Sequence, residues 1–188
     1  MQIKIYVSNL SKYVEGRENG KWVPLPMEAE RLEEVLDKIV GNGKEHIILD
    51  YDAPFAISEY ENIQELNNFL LGISEYDFEI DILTALFKAG DSPAEVKDYI
   101  KNGNFRIVNV DEVSKNWSSG LSGTQLFGMA LNEVGYNNLF SQPIPVEMID
   151  YMDFEQIYMC LSVNDGWRDV RSGNTTYLVT FQCNTSAA

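Results

Sequence analysis

The stretch that decides the fold runs from Glu45 to Phe87 and reads EHIILDYDAPFAISEYENIQELNNFLLGISEYDFEIDILTALF. It carries ten carboxylates and not one Lys or Arg, and apolar residues are interleaved with the acids throughout. A solvated acidic tail would lack the apolar half, so this segment is expected to be anchored in a core. A surface of one sign costs stability through self-repulsion, and it therefore indicates either a means of staying soluble or a binding surface.

The composition extends this pattern to the whole chain. The 188 residues carry a formal net charge of −15 with a pI near 4.3, while 45% of them are hydrophobic, which is typical of a globular protein. Phosphate contacts need clustered Lys and Arg, so we expect no direct nucleic-acid binding and a basic partner instead. The sequence shows no signal-peptide pattern and no run of about 18 apolar residues, so we expect a cytoplasmic protein without a membrane span.

Periodicity predicts the elements of the first third of the chain. Alternating apolar residues predict a strand over Gln2–Asn9, and helical spacing predicts a helix over Glu28–Val40. Between them, the prolines of Trp22–Pro26 are expected to end any strand, because proline has no amide hydrogen to give to a ladder. Ile47–Leu49 reads as a short buried strand that leads into Asp50-Tyr51-Asp52.

The remainder of the chain reads as a helical unit followed by a second mixed unit. Helices are predicted from Ser58 or Asn62 to Leu71 and over Asp77–Lys88, Ser92–Lys101, Thr124–Val134 and Pro145–Leu161. Strands are predicted over Phe105–Val110 and Thr175–Gln182, with a loop over Ser114–Gly123. The fold class is therefore α+β, with a sheet-plus-helix N-terminal unit (1–58), an acidic helical unit (59–103) and an α+β C-terminal unit (104–188).

The carboxylates could also ligate a metal ion. Asp50 and Asp52, with Glu59 or Glu61, are the best candidates for oxygen ligands of magnesium or calcium, although their spacing does not match an EF-hand loop. The single histidine, His46, has no associated nucleophile motif, and ten acids in one stretch select no catalytic pair. Two functions are therefore open at this point: a metal-dependent enzyme that uses Asp50 and Asp52, and an acidic adaptor for a basic protein.

The three tryptophans do not indicate a nucleic-acid site. Trp22, Trp117 and Trp167 are not spaced with basic residues as a base-stacking platform requires. We interpret them as core or interface residues.

Three stretches resemble the ArdA family of antirestriction proteins. The first is Ile5-Tyr6-Val7-Ser8-Asn9-Leu10 with Tyr13, Gly16, Gly20, Trp22, Leu25 and Pro26. The second is Asp50-Tyr51-Asp52-Ala53-Pro54-Phe55 with Glu59-Tyr60, Ile63 and Glu65-Leu66-Asn67, and the third is Pro145 with Ile149-Asp150-Tyr151 and Phe154. The three occur in the family's order and approximate spacing, and the segment 89–123 lies outside them.

The resemblance implies an elongated, curved protein of three small units whose carboxylates imitate the phosphates of B-form DNA. Such a protein occupies the DNA-binding site of Type I restriction-modification enzymes, performs no catalysis and needs no cofactor or metal. Members are commonly carried on mobile genetic elements and often act as dimers, so we also expect a homodimer.

The residues expected to imitate phosphates come from the opening stretch and from a second base-free stretch, 116–167. They are Glu45, Asp50, Asp52, Glu59, Glu61, Glu65, Glu75, Asp77, Glu79, Asp81, Glu133, Glu147, Asp150, Asp153 and Glu155. Carboxylates four residues apart on a helix lie about 6 Å apart, comparable with the charge spacing along a nucleic-acid strand. Glu61 with Glu65, and Asp77 with Asp81, have that separation in sequence.

Overall fold

The structure is a computed structural model that describes residues 2–17, 20–74, 78–117, 121, 123–136, 139 and 144–182. The chain divides into two compact units, Met1–Ile80 and Asp81–Ala188. Within the described residues, eight α-helices accompany two three-stranded antiparallel sheets, which confirms the predicted α+β class. The finer division into units 1–58, 59–103 and 104–188 stays a prediction.

The N-terminal unit is built on a sheet with the strand order β2-β1-β3. Its strands are β1 (Ile3–Asn9), β2 (Lys21–Leu25) and β3 (His46–Asp52), and β1 is antiparallel to both neighbours. The helix α1 (Leu10–Val14) follows β1, and α2 (Ala29–Ile39) connects β2 to β3. The predictions of β1 and α2 are confirmed, while β3 is longer than predicted because the acidic residues after Leu49 also pair with β1.

The apolar residues of β1 and α2 form the core of the N-terminal unit. Ile3, Ile5 and Val7 point to one face of the sheet and are buried, as are Leu32 and Leu36 on one side of α2. Because strand side chains alternate and helix side chains recur every three or four residues, each element turns its apolar set inward. The opposite face carries the alternate residues of the same strands, among them Lys4 and Tyr6 of β1.

β2 corrects the expectation that the prolines of Trp22–Pro26 end any strand. The strand runs through Pro24, which pairs in register with Lys4 of β1. β2 lies at the edge of the sheet, and an edge strand tolerates proline where the amide nitrogen faces away from the ladder. The missing amide hydrogen therefore leaves the pairing with β1 intact.

The predicted acidic helix is α3 (Ile63–Ser74), and Asn62 begins it. The Asn62 Oδ1 atom accepts hydrogen bonds from the backbone amides of Gln64 and Glu65, at 3.1 and 3.2 Å. Within α3, the buried Asn67 side chain donates to and accepts from the backbone of Met27, both at 2.9 Å. These bonds fix α3 to the segment that precedes α2.

The C-terminal unit contains a second sheet with the strand order β4-β6-β5. Its antiparallel strands are β4 (Phe105–Asn109), β5 (Arg168–Ser172) and β6 (Thr175–Phe181). Its helices are α4 (Ile80–Ala89), α5 (Pro93–Asn102), α6 (Val110–Val113), α7 (Thr124–Glu133) and α8 (Phe154–Asn164), with 3₁₀ turns at Ser114–Asn116 and Val146–Tyr151. The predictions of helices at α4, α5 and α7 and of strands at β4 and β6 are confirmed.

Helices cover both faces of this sheet. On one face, Leu178 belongs to a buried apolar cluster that includes Leu131 of α7 and Leu161 of α8. On the other, Tyr99 of α5 stacks on Phe181 with ring centroids 4.9 Å apart. The unit is therefore a helix–sheet–helix arrangement, and its sheet is an interior layer.

Two predictions in the C-terminal unit are wrong in detail. The helix predicted over Pro145–Leu161 is divided, because the chain is extended at Met152 and the Asp153 side chain caps a new helix, α8. The predicted loop Ser114–Gly123 begins with a 3₁₀ turn, and its residues 118–120 and 122 lie outside the described part of the chain.

Candidate partner-binding surface

Asp50 and Asp52 lie on the outward face of the N-terminal sheet because of a β-bulge. Consecutive residues of β1 pair with Asp50 and Ile48, so Leu49 is an extra residue on β3. In a regular strand Ile48 and Asp50 would share a face. The bulge instead leaves Ile48 buried and both Asp50 and Asp52 exposed.

Asp50 and Asp52 are two residues apart on the same strand. Residues two apart on a strand are separated by about 6.8 Å, which equals two charge steps of about 3.4 Å along one strand of B-form DNA. The phosphate-like spacing in this region is therefore set by strand geometry at Asp50 and Asp52.

The loop after β3 brings two further acids beside the strand. The amide of Ile48 donates to the carbonyl of Glu59 at 2.9 Å, and the His46 Nε2 atom lies 2.9 Å from the carbonyl oxygen of Glu61. Phe55, within the loop, is buried and anchors it. Acids that are distant in sequence therefore lie along one edge of the sheet.

We call these acids and their neighbours the β3-edge acidic surface, which consists of Glu45, Asp50, Asp52, Glu59, Glu61 and Glu65. All six are exposed except Glu61, which is half-buried. Glu65 lies in the first turn of α3, where a negative charge is favourable to the helix dipole. The expected helical spacing of Glu61 and Glu65 is wrong, because Glu61 lies in a turn before α3 begins.

The next predicted acids differ in accessibility. Glu75 and Asp77 lie outside the described residues. Glu79 is exposed just before α4, whereas Asp81 is half-buried and accepts a hydrogen bond from the Ser172 hydroxyl at 3.3 Å. Asp81 therefore contacts the hairpin of β5 and β6 and presents less of its carboxylate to a partner.

The remaining predicted acids form what we call the C-terminal acidic surface. It consists of Glu133, Glu147, Asp150, Asp153 and Glu155, all of which are exposed. Asp153 accepts a hydrogen bond from the amide of Gln156 at 3.1 Å, and Glu155 lies in the first turn of α8. Part of this surface therefore stabilises the start of a helix.

Most members of the β3-edge acidic surface are not neutralised within the chain. Among the described residues, Glu45, Asp50, Asp52, Glu59 and Glu65 have no Lys, Arg or His nitrogen within 4 Å, whereas Glu34, Glu112 and Asp91 form ion pairs. The Arg168 guanidinium donates to both carboxylate oxygens of Asp91, at 2.8 and 2.9 Å. This hydrogen bonding and the charge of Arg168 lower the pKa of Asp91.

Asp50 and Asp52 are the predicted candidates for ligands of a metal ion. In the part of the chain that the structure describes, no three His, Cys, Asp or Glu side chains converge as metal ligands would. His46, the single histidine, has one ring nitrogen at hydrogen-bond distance from a backbone carbonyl. What the acidic surface offers chemically is charge and hydrogen-bond acceptors.

Sequence reasoning missed an aromatic pair beside these acids. Trp22 is 48% exposed on the outward face of β2, and its ring contacts that of Tyr6 with centroids 5.5 Å apart. Trp167, in contrast, is buried in the C-terminal core, and Trp117 packs against it. These three residues are distant in sequence, so their proximity could not be predicted without the strand register, which places Tyr6 between Trp22 and Asp50.

The sequence matches one known protein family. The model of an antirestriction family, ArdA, matches residues 5–175, which include the N-terminal sheet from Ile5 onward and the segment 89–123 and end at the first residue of β6. The chain belongs to the ArdA family of antirestriction proteins. Membership supports an antirestriction function, with a restriction-modification enzyme as the partner. No curated protein sequence matches the chain.

No α-helix in the described ranges is both long enough and apolar enough to cross a bilayer.

Proposed function

We propose that the protein inhibits Type I restriction-modification enzymes by occupying their DNA-binding site in place of DNA. The observation that carries the proposal is the β3-edge acidic surface, where exposed carboxylates from a strand, a loop and a helix start lie along one edge of a folded sheet. A DNA-binding site is basic because it must neutralise phosphates. A fixed array of carboxylates offers such a site the same charge on a rigid support.

The electrostatics support competition with DNA. Carboxylates without internal ion partners keep their charge available to a partner, and a net charge of −15 speeds association with a basic cleft. Screening shortens the range of these interactions, so inhibition should weaken as salt rises. The C-terminal acidic surface would extend the contact on the second unit.

The proposal includes a cytoplasmic homodimer, encoded on a mobile genetic element. A dimer would present two copies of each acidic surface. Sedimentation should then give a mass near twice 21.4 kDa. A monomer at every accessible concentration would remove the dimer from the proposal and leave the inhibition untouched.

The test is a competition experiment with a purified Type I enzyme and a fluorescent DNA duplex that carries its recognition site. We expect the protein to displace the duplex, measured by anisotropy, and to inhibit both cleavage and methylation in proportion to that displacement. Poly-glutamate at the same concentration of carboxylates is the control for nonspecific charge, and it should compete more weakly. Inhibition without displacement, or displacement no stronger than that by poly-glutamate, would contradict the proposal.

A further inference from the structure

An aromatic and acidic row crosses the outward face of the N-terminal sheet. In register across the three strands, Trp22 lies opposite Tyr6, and Tyr6 lies opposite Asp50. Directly opposed residues of antiparallel strands have Cβ atoms about 5 Å apart, so the three side chains are neighbours. We call Trp22, Tyr6 and Asp50 the aromatic row.

The row is held in place from both ends. Gly20 approaches the Tyr6 ring so closely that a Cβ there would lie 2.6 Å from Cε1 of Tyr6, so the tyrosine ring packs against backbone at Gly20. At the other end, the bulge at Leu49 turns Asp50 to the face that carries the rings. Two local irregularities therefore bring two rings and one carboxylate together.

The chemistry of the row selects a particular cation. The two rings meet at an interplanar angle of 61°, and 48% of the Trp22 side chain stays exposed beside Tyr6. A guanidinium can stack on an exposed indole face while its planar fork bonds a neighbouring carboxylate, whereas an ammonium is a compact point charge. Trp22 is the best ring for such a contact, and Asp50 supplies the carboxylate.

Lys4, a basic residue on the same strand as Tyr6, does not form an ion pair with the row. Lys4 lies in the adjacent row, where it pairs with Pro24 on one side and Asp52 on the other. Neither Asp50 nor Asp52 forms an ion pair among the described residues, so the Asp50 carboxylate stays available beside the rings.

We propose that the aromatic row binds an arginine side chain on the basic surface of the partner. The identification of that partner as a restriction-modification enzyme rests on the proposed function; the preference for arginine rests on the row. The contact adds to the binding affinity a contribution that depends on ring geometry. This contribution distinguishes arginine from lysine, whereas the summed charge of the surface does not.

Short peptides test this preference without any enzyme. Capped tetra-arginine and tetra-lysine are titrated separately into the ¹⁵N-labelled full chain at equal, low salt, and the Trp22 indole resonance is assigned by its loss in Trp22→Phe. We expect tetra-arginine to shift that resonance and to bind about 3- to 5-fold more tightly than tetra-lysine, the ratio that one exposed cation–π contact supplies.

Substitutions of Trp22 test whether the preference for arginine depends on its ring. Trp22→Leu should bring the affinity ratio of the two peptides close to one, and Trp22→Phe, which keeps a weaker ring, should give an intermediate ratio even if the leucine variant does not fold. Tyr13→Leu is the matched control, because Tyr13 is 44% exposed and lies on α1 outside the row. It should keep the ratio of the parent protein.

Equal affinities of the two peptides for the parent protein, or a ratio unchanged by the Trp22 substitutions, would overturn the proposal. A failure to displace DNA in the competition experiment would count against the proposed function and not against the arginine preference, so the two failures are distinguishable.

Discussion

The β3-edge and C-terminal acidic surfaces are both negatively charged, but their carboxylates differ in what they contribute to the fold. In the N-terminal unit, Asp50 and Asp52 hold no second element in place, and the side chain of Asp50 accepts only the adjacent amide of Tyr51 among the described contacts. In the C-terminal unit, Asp153 caps α8, and Asp111, an acid of the same unit outside that surface, accepts the amide of Thr176 at 2.8 Å.

From this difference we infer that carboxylates without a role in folding are the best candidates for binding residues. A carboxylate that caps a helix or fixes a strand is explained by the fold. An exposed carboxylate that a bulge has turned outward is not, and it costs self-repulsion. The β3-edge acidic surface should therefore contribute most to binding and least to stability.

The largest expected effect comes from removing that surface. In the β3-edge variant, Glu45, Asp50, Asp52, Glu59 and Glu65 are replaced by their amides. Five exposed charge contacts, each worth about 0–1 kcal/mol, should together weaken binding to the enzyme by about 100-fold. The thermal midpoint should stay the same or rise, because repulsion is relieved.

A matched variant separates placement from total charge. Glu28, Glu30, Glu33, Glu34 and Asp37 are five exposed acids on or just before α2 in the same unit, and their amides remove the same charge. This variant should lose far less affinity in the same displacement assay. An equal loss in the two variants would show that summed charge, wherever it lies, determines binding.

A smaller effect concerns stability, to which Asp153 of the C-terminal acidic surface should contribute more than Asp50 of the β3-edge acidic surface. Asp153→Ala should lower the free energy of unfolding by about 1 kcal/mol through loss of the α8 cap, and Asp153→Asn should restore most of it. Asp50→Ala should change stability by less than about 0.5 kcal/mol. Urea denaturation measures all three, and an Asp50 variant as unstable as Asp153→Ala would remove the contrast.

A pH-dependent effect should be smaller still. The pKa of Asp91 is lowered in the folded state by hydrogen bonding to Arg168, so its contribution to stability is present above the unfolded pKa of about 3.9. That contribution is lost as the pH falls through the lower folded value. Thermal midpoints of the parent and Asp91→Asn should differ near neutral pH and converge in acid; a difference that grows in acid would contradict this sign.

No effect is expected from divalent metal. A ligand that binds only the folded state raises its stability. The Asp50 and Asp52 pair has no third converging ligand among the described side chains, so magnesium or calcium should leave the thermal midpoint unchanged, as should a chelator. A rise of several degrees that Asp50→Asn abolishes would favour the metal-dependent alternative.

Some elements could be predicted from residues within or next to the element itself. The β1 strand alternates cleanly, and α5 begins where Ser92 accepts the amide of Glu95 and ends at Gly103, whose φ of 66° suits glycine. These features require no knowledge of distant partners. The α+β class followed from them.

The missed features depend on partners that are distant in sequence. β5 reads as polar because Arg168 bonds Asp91 and Asp169 accepts the Tyr158 hydroxyl at 2.7 Å, neither of which is close in the chain. The bulge at Leu49 exists only in the pairing of β3 with β1. The identity of the acids was therefore predictable, whereas the face they occupy and the rings beside them were not.

Carboxylate footprinting tests the central claim most directly. The free protein and its complex with a Type I enzyme are treated with a carbodiimide and an amine, and the modified acids are identified by mass spectrometry. We predict that modification of Asp50, Asp52 and Glu59 falls in the complex and returns when excess DNA displaces the protein, while the acids of α2 react equally in both states. Protection of α2 with undiminished modification of the β3-edge acidic surface would contradict the account.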